Sequence, residues 1–398
     1  MSPHKHPTWL PSLLGLFIAV GPAATDMYLP AFPAVEASFG TASGTAQLTL
    51  ATWFAGLAIG QITQGTLSDR FGRRIPLMLG FIVFTLSTIG CALAPSLTWL
   101  AIFRTTAAFG ASAGMVIARA VVRDLSEGQA AAIMMSRLML VMGVAPILAP
   151  TVGGAILAFA QWRVIFWVLT LYGIACVILA WKMLPETLPP ERRLRLSLAG
   201  QLERYGMILR EKTFLTHAIM GGCGTFCMFA YLSGSSPVFE LGFGLSPSRF
   251  ALIFGLCAVS LIVCSQLNAR LLPRVGLSRM LTRIARISCG GTIVLVAVAF
   301  SGLHVLWAVV APLIVVIGCQ GFANANSTAG ALSRHAAHAG SAAALMGTLQ
   351  FSLGAASGVL VGLLTDGTPR GMAAMMFLGM FGAVIADRFR VRPAAARA

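Results

Sequence analysis

Apolar runs of about 20 residues recur along nearly the whole of this 398-residue chain, and that recurrence limits the fold more than any motif does. A bilayer core about 30 Å thick is crossed by about 20 helical residues at 1.5 Å each, and in lipid each backbone N–H and C=O must be satisfied within its own helix. Twelve segments meet this requirement, centred on residues 10–32, 47–67, 75–94, 98–118, 133–158, 163–184, 214–238, 248–270, 281–300, 303–325, 338–364 and 371–387. The sequence therefore predicts an all-α integral membrane protein with twelve transmembrane helices. Apolar residues make up 57% and charged residues only 10% of the chain, where a soluble domain carries about a quarter charged. The first apolar run continues through Asp26-Met27-Tyr28-Leu29-Pro30 and reads as a retained helix, not a cleaved leader.

A formal net charge of +16 would suggest a polyanion partner in a soluble chain. Position argues otherwise. With the amino terminus on the inner side, 24 of the 28 Lys and Arg fall on inner loops and tails; Arg163, Arg249 and Arg370 lie outside and Arg104 within a span. This is the positive-inside asymmetry, so the basic charge reports topology, both termini are expected to be cytoplasmic, and no nucleic acid is expected to bind. The longest polar stretch, 185–212, separates six spans from six and divides the chain into 1–184, a linker 185–212, and 213–398. Its Leu196–Leu209 portion has the pattern of a short amphipathic helix at the inner surface. Two six-span halves joined by a cytoplasmic linker suggest a transporter that rocks one bundle against the other around a midplane site. The best trace of internal repetition is Asn268-Ala269-Arg270-Leu271-Leu272-Pro273-Arg274-Val275-Gly276, in the place that Asp69-Arg70-Phe71-Gly72-Arg73-Arg74 occupies in the first half, with the acid lost.

The eight cysteines all fall in apolar stretches, which fits packing and neither a disulfide framework nor a zinc site. The six histidines form no catalytic set. No phosphate-binding Gly-rich loop with Lys-Ser/Thr is present, so ATP is not expected as the energy source, and no cofactor or metal is expected.

Spans two and three are joined by Gly65-Thr66-Leu67-Ser68-Asp69-Arg70-Phe71-Gly72-Arg73-Arg74. Gly72 permits a tight turn, and Asp69 can face arginines or a helix amino end. Ion pairs at such a seam can latch one conformation and release it in another. The run resembles the signature loop of the major facilitator superfamily. That resemblance implies twelve helices in two pseudo-symmetric six-helix bundles and alternating access. Further segments are similar to the Bcr/CflA group of drug:proton antiporters: Thr25-Asp26-Met27-Tyr28-Leu29-Pro30-Ala31-Phe32-Pro33, Arg119 to Leu125, Gly143 to Gly154, Trp162-Arg163-Val164-Ile165-Phe166, Pro185-Glu186-Thr187 and Gly234-Ser235-Ser236-Pro237. The resemblance implies multidrug efflux: export of bicyclomycin, chloramphenicol-type drugs, sulfonamides and other small molecules across the bacterial inner membrane, by a monomer.

In span five, Gly143, Gly153 and Gly154 permit close helix approach, while Pro146 and Pro150 free backbone carbonyls and bend the axis. This run resembles the antiporter motif of drug exporters, although two prolines flank a four-residue interval in place of the commoner single Gly-Pro step. Ionisable groups inside a membrane are costly and usually face a cavity or a partner. Asp26 and Arg104 are the clear cases, each expected about 10 Å inside the outer boundary at 1.5 Å per residue. Asp26 is the expected proton carrier and Arg104 the group that sets its proton affinity, with a static ion pair stapling spans one and four as the alternative. The segment from Arg104 to Gly110 and Gly114 resembles the superfamily's span-four motif, whose arginine is assigned to proton coupling. A single buried acid implies one proton per cycle.

A multispecific drug cavity needs adaptable apolar walls with a few polar groups. Tyr28, Met115, Met139, Met142, Phe226, Phe229 and Tyr231 are the candidate walls and Asn324, Asn326 and Gln350 the polar contacts; each would equally serve packing. The leading functional reading is a proton-coupled drug antiporter, with export of an endogenous metabolite such as an amino acid or polyamine as the alternative. An enzyme would need a convergent catalytic set, and a membrane sensor would need a soluble output domain; the chain offers neither.

Overall fold

The computed structural model describes residues 9–42, 44–125, 128–193, 198–335 and 339–390, and all regular structure in them is helical. Fourteen α-helices follow in order: α1 (Leu10–Asp26), α2 (Phe32–Phe39), α3 (Ala46–Phe71), α4 (Arg74–Ala92), α5 (Leu97–Leu125), α6 (Gly128–Phe159), α7 (Arg163–Met183), α8 (Leu198–Arg210), α9 (Lys212–Ser236), α10 (Pro247–Val275), α11 (Leu277–Phe300), α12 (Leu306–Leu332), α13 (Ala339–Leu363) and α14 (Arg370–Phe389). Among the described residues ten segments are long and apolar enough to cross a membrane, α1 and α2 counting as one. The two further helices at expected span positions, α3 and α6, have the length. Polar residues dilute α3, but they point inward: Gln47, Thr49, Gln61 and Gln64 are all buried. Large apolar side chains are exposed, among them Leu86, Leu171, Trp181, Leu252 and Leu363, as lipid requires.

Two compact units divide the chain: Met1–Thr41 with Leu48–Leu196 and Pro247–Gly255, and Ala42–Gln47 with Ser197–Ser246 and Leu256–Ala398. Within the first, α1 packs on α5, α6 and α7, and α4 packs on α5 and α7. Within the second, α9 packs on α12, α13 and α14, and α11 packs on α12 and α14. Counted as spans, the two sets of neighbours are the same, so a repeat that is nearly erased in sequence survives in packing. The turns correspond too: Gly72 (φ +92) links α3 to α4, and Gly276 (φ +81) links α10 to α11. Glycine adopts this left-handed conformation without the steric cost of a Cβ. Helix α8 lies where the amphipathic pattern predicts one and packs on α9 and α13.

Glycine also sets the closest helix approaches. A Cβ at Gly110 would strike the backbone of Gly80 and Phe84, and one at Gly80 would strike Gly110 and Ala113, which brings α4 and α5 to near backbone contact. Gly114 stands in the same way against the carbonyl of Phe17 on α1.

Candidate functional site

Helix α1 ends at Asp26, a 3-10 turn follows at Leu29–Ala31, and α2 resumes the span as far as Phe39. The break has a covalent cause: Pro30 has no N–H to give to the carbonyl of Asp26 four residues earlier, and Pro33 repeats the deficit for Leu29. Because the apolar span continues to Phe39, Asp26 lies thirteen residues from its end, deeper than the sequence alone suggests. It is 5% exposed.

Arg104 projects from α5 into the same unit and is 1% exposed. Its Nη1 donates to the carbonyl of Ala24 at 2.8 Å, two residues before Asp26. The guanidinium lies 4.4 Å from the Tyr28 ring centre and 4.5 Å from that of Trp53. Ring faces attract a cation, more strongly when both are desolvated. Tyr28 is itself held by Thr49 (2.9 Å) and by the rings of Phe32 and Phe166. Among the described residues no ion pair joins Arg104 to Asp26, so the static staple is not what is observed, and Nε and Nη2 of Arg104 have no hydrogen-bond partner. A buried cation with two spare donors is costly unless an anion can reach it.

The residues expected to act as a latch centre on a network around Arg73. Its guanidinium donates to Asp69 (2.5 Å), to Asp124 (2.7 Å and 3.3 Å) and to the Ser68 hydroxyl (3.0 Å). Burial works against its charge, but the hydrogen bonds and charges of Asp124 and Asp69 more than offset this and raise its affinity for the proton. Glu186, just beyond α7, accepts from the backbone N–H of Arg73 (2.8 Å) and of Arg74 (3.3 Å). Thr187 donates to Asp124 (3.1 Å), and Arg74 donates to the carbonyl of Trp181. The turn therefore ties α3, α4, α5 and the end of α7 together. Arg70 stays outside this network, over the ring of Phe71, and a Cβ built on Gly65 would make only ordinary contact with Val116.

On α6, Gly153, Gly154 and Pro150 are buried. A Cβ on Gly153 would strike the carbonyl of Met27, so the absence of a side chain there admits the broken end of α1. Met139, Met142, Gly143 and Pro146 also fall on α6, with side chains outside the described residues. The remaining cavity candidates do not form one set. Tyr28 is sealed inside the Arg104 seat and is not an open wall. Met115 packs its sulfur against Gly21 of α1. In the second unit Phe226, Phe229 and Tyr231 are buried, with Phe229 stacked on Phe351 at 6.0 Å. Asn326 is engaged in a reciprocal pair with Asn268 (3.2 Å and 2.8 Å), which takes up its amide and corrects its reading as a free polar contact. Exposed Asn324 accepts from Gln350 at 3.4 Å.

Sequence reasoning missed several acids, three of which bear on these sites. Asp124 and Glu186 sit in quoted family segments, but nothing local shows that they converge on Arg73; their signal was an acid beside arginines in a chain with only 12 acidic residues. Glu240 lies in a π-helical turn, Pro237–Gly242, at the end of the apolar span Lys212–Gly242, and accepts from Ser236 at 2.8 Å. Asp26 is therefore not the only carboxylate in a span, and the count of one proton per cycle loses its basis.

Ten candidate spans among the described residues, two further helices of span length and the repeated six-span packing define a polytopic membrane protein. Residues 14–359 match the Major Facilitator Superfamily. The chain is 36% identical over 369 residues to the "Uncharacterized MFS-type transporter YdgK" of Bacillus subtilis, covering 92% of this chain and 91% of the relative. It is 30% identical over 351 residues to the "Bicyclomycin resistance protein homolog" of Haemophilus influenzae, covering 87% of each. The fold matches a crystal structure of a D-xylose-proton symporter with TM-score 0.76, at 16% identity and over 96% of each chain. The chain belongs to the major facilitator superfamily, and its likeness to the Bcr/CflA group agrees with the relative named for bicyclomycin resistance.

Proposed function

We propose that this transporter is a proton-coupled antiporter of the bacterial inner membrane that exports small antimicrobial drugs by alternating access, with both termini cytoplasmic. The observation that carries the reading is Asp26, a buried carboxylate at a break in its span, two residues along the chain from the carbonyl of Ala24 that holds a buried arginine with two unused donors. Burial favours the neutral acid, whereas a cation within reach favours the carboxylate. Protonated Asp26 can stay apart from Arg104; once ionised it is drawn to the free Nε and Nη2. A conformational change that alters this distance exchanges proton affinity for drug affinity. Tyr28 and Trp53 hold Arg104 in its desolvated position while it waits, and Gly153 lets α6 close against the α1 break. The Arg73 network latches the cytoplasmic end of the first six spans in one state. The drug class, bicyclomycin, chloramphenicol-type or sulfonamide-like, rests on the family likeness.

The test is proton release from inside-out vesicles under an imposed pH gradient, with each drug class and candidate amino acids or polyamines added in turn. Drug-dependent proton movement supports the reading. Response to a metabolite alone would make the protein a metabolite exporter on the same fold, and response to none would remove proton antiport.

A further inference from the structure

One cluster of charge is not absorbed by transport. Near its start, α11 carries Arg279, Arg283 and Arg286, three exposed arginines that line a pocket of about 250 Å³ with Ser278 and Thr282. Steps of four and three residues put them on one helix face, spread over about 10 Å of axis. Among the described residues none of the three has an ion-pair or hydrogen-bond partner. The neighbouring acid, Asp387 on α14, is engaged: Arg390 binds it at 2.7 Å and 2.9 Å and also reaches the Ser278 carbonyl at 2.8 Å. Thr282 donates to the same acid at 3.1 Å. Arg390, which bonds Ser278 and Thr282 of the pocket lining, is itself buried with its Nη1 unpartnered among the described residues.

The same face continues along α11 as Gly290, Ile293 and Ala297, at steps of four, three and four. Ile293 is 53% exposed, and the adjacent Val294 is 52% exposed. A Cβ built on Gly290 meets nothing within 4 Å. A strip with positive charge at one end, a shallow glycine step and then apolar surface matches one molecule in shape and chemistry: a lipid with an anionic head and hydrocarbon tails. Arginine recognises phosphate by forked, charge-assisted hydrogen bonds. We propose that this face of α11 is a binding site for an anionic glycerophospholipid, its phosphate held by Arg279, Arg283 and Arg286 and an acyl chain lying over Gly290 and Ile293. Positive-inside topology puts the site at the inner leaflet, where basic clusters meet anionic headgroups.

Native mass spectrometry of the full-length protein in nonionic detergent tests this, with phosphatidylglycerol, cardiolipin, phosphatidylcholine and inorganic phosphate as separate probes. Phosphatidylglycerol or cardiolipin should be retained and phosphatidylcholine not, with affinity about fivefold weaker for each arginine changed to glutamine. Arg388→Gln, an exposed arginine of α14, should bind lipid as the wild type does. Gly290→Leu keeps all charges but fills the step, and should weaken lipid binding while leaving any phosphate binding unchanged. Single Arg283→Gln is the variant least disturbing to topology, and elution as a single species by size exclusion establishes its fold. Undiminished lipid retention in the triple variant Arg279→Gln/Arg283→Gln/Arg286→Gln would overturn the proposal. So would inorganic phosphate displacing the lipid at equal concentration, because the site would then read a free anion and not a lipid.

Discussion

Alanine at Gly72 and at Gly276 compares the same turn in the two halves of the molecule. Both glycines have positive φ, +92 and +81, and a side chain held in such a sparsely populated backbone conformation costs about 1–3 kcal/mol. At Gly276 that is the whole penalty, since an added Cβ meets nothing within 4 Å. At Gly72 the Cβ would occupy the place of the Glu186 carboxylate. Moving that carboxylate breaks its hydrogen bonds from the Arg73 N–H (2.8 Å) and the Arg74 N–H (3.3 Å). A hydrogen bond to a charged group contributes about 1.5–3 kcal/mol, and the longer, exposed one less, so the additional loss is about 2–4 kcal/mol. Equilibrium unfolding in mixed micelles should therefore show a loss of about 1–3 kcal/mol for Gly276→Ala and about 3–7 kcal/mol for Gly72→Ala. In a Glu186→Gln background the excess should shrink, because the displaced group is then neutral. Equal losses for the two alanine variants would refute the assignment of Glu186 as the group that secures the turn.

Asp124→Asn removes one of the two anions on Arg73 and should destabilise the protein by about 1.5–3 kcal/mol in the same assay; an unchanged midpoint would mean that Asp69 alone satisfies the guanidinium. Glu211 caps α9 by accepting from the N–H groups of Thr213 (3.0 Å) and Phe214 (2.6 Å); burial opposes its charge, but these bonds and Arg334 hold its carboxyl below the usual range. A depressed folded-state pKa contributes stability above the unfolded value that is lost as pH falls through the folded one. Glu211→Ala should therefore cost about 1 kcal/mol at pH 7 and little once pH has fallen through the depressed folded-state pKa, where the carboxyl is protonated in both states; a pH-independent difference would contradict the capping role. Arg104→Lys keeps the charge but loses the planar contact with Tyr28 and Trp53, so transport should fall at least tenfold with the protein still in the membrane; wild-type rates would show that only the charge matters.

Legibility of the site followed the range of the interactions that build it. Apolar length is a property of each segment, so the spans could be read residue by residue. The Gly72 turn was equally local. What stayed hidden was assembled from distant parts of the chain: Asp124 lies 51 residues and Glu186 113 residues from Arg73. The break after Asp26 was written in Pro30 and Pro33, but in membrane helices proline often only bends the axis, and continuing hydrophobicity masked the interruption. Asn326 carried no sign of its pairing with Asn268, because an amide in a span suits a ligand and a neighbouring amide equally well. The tight α4–α5 approach at Gly80 and Gly110 was likewise invisible beside the more conspicuous glycine and proline run of α6.

Asp26→Asn, reconstituted in proteoliposomes and assayed for drug movement in two modes, tests the central claim most directly. Asparagine keeps the shape of the side chain and removes its titration. The expected result is that drug exchange down its own gradient persists while accumulation driven by a pH gradient disappears. Accumulation in the variant that still follows the imposed pH gradient as in the wild type would contradict the assignment of Asp26 as the proton carrier.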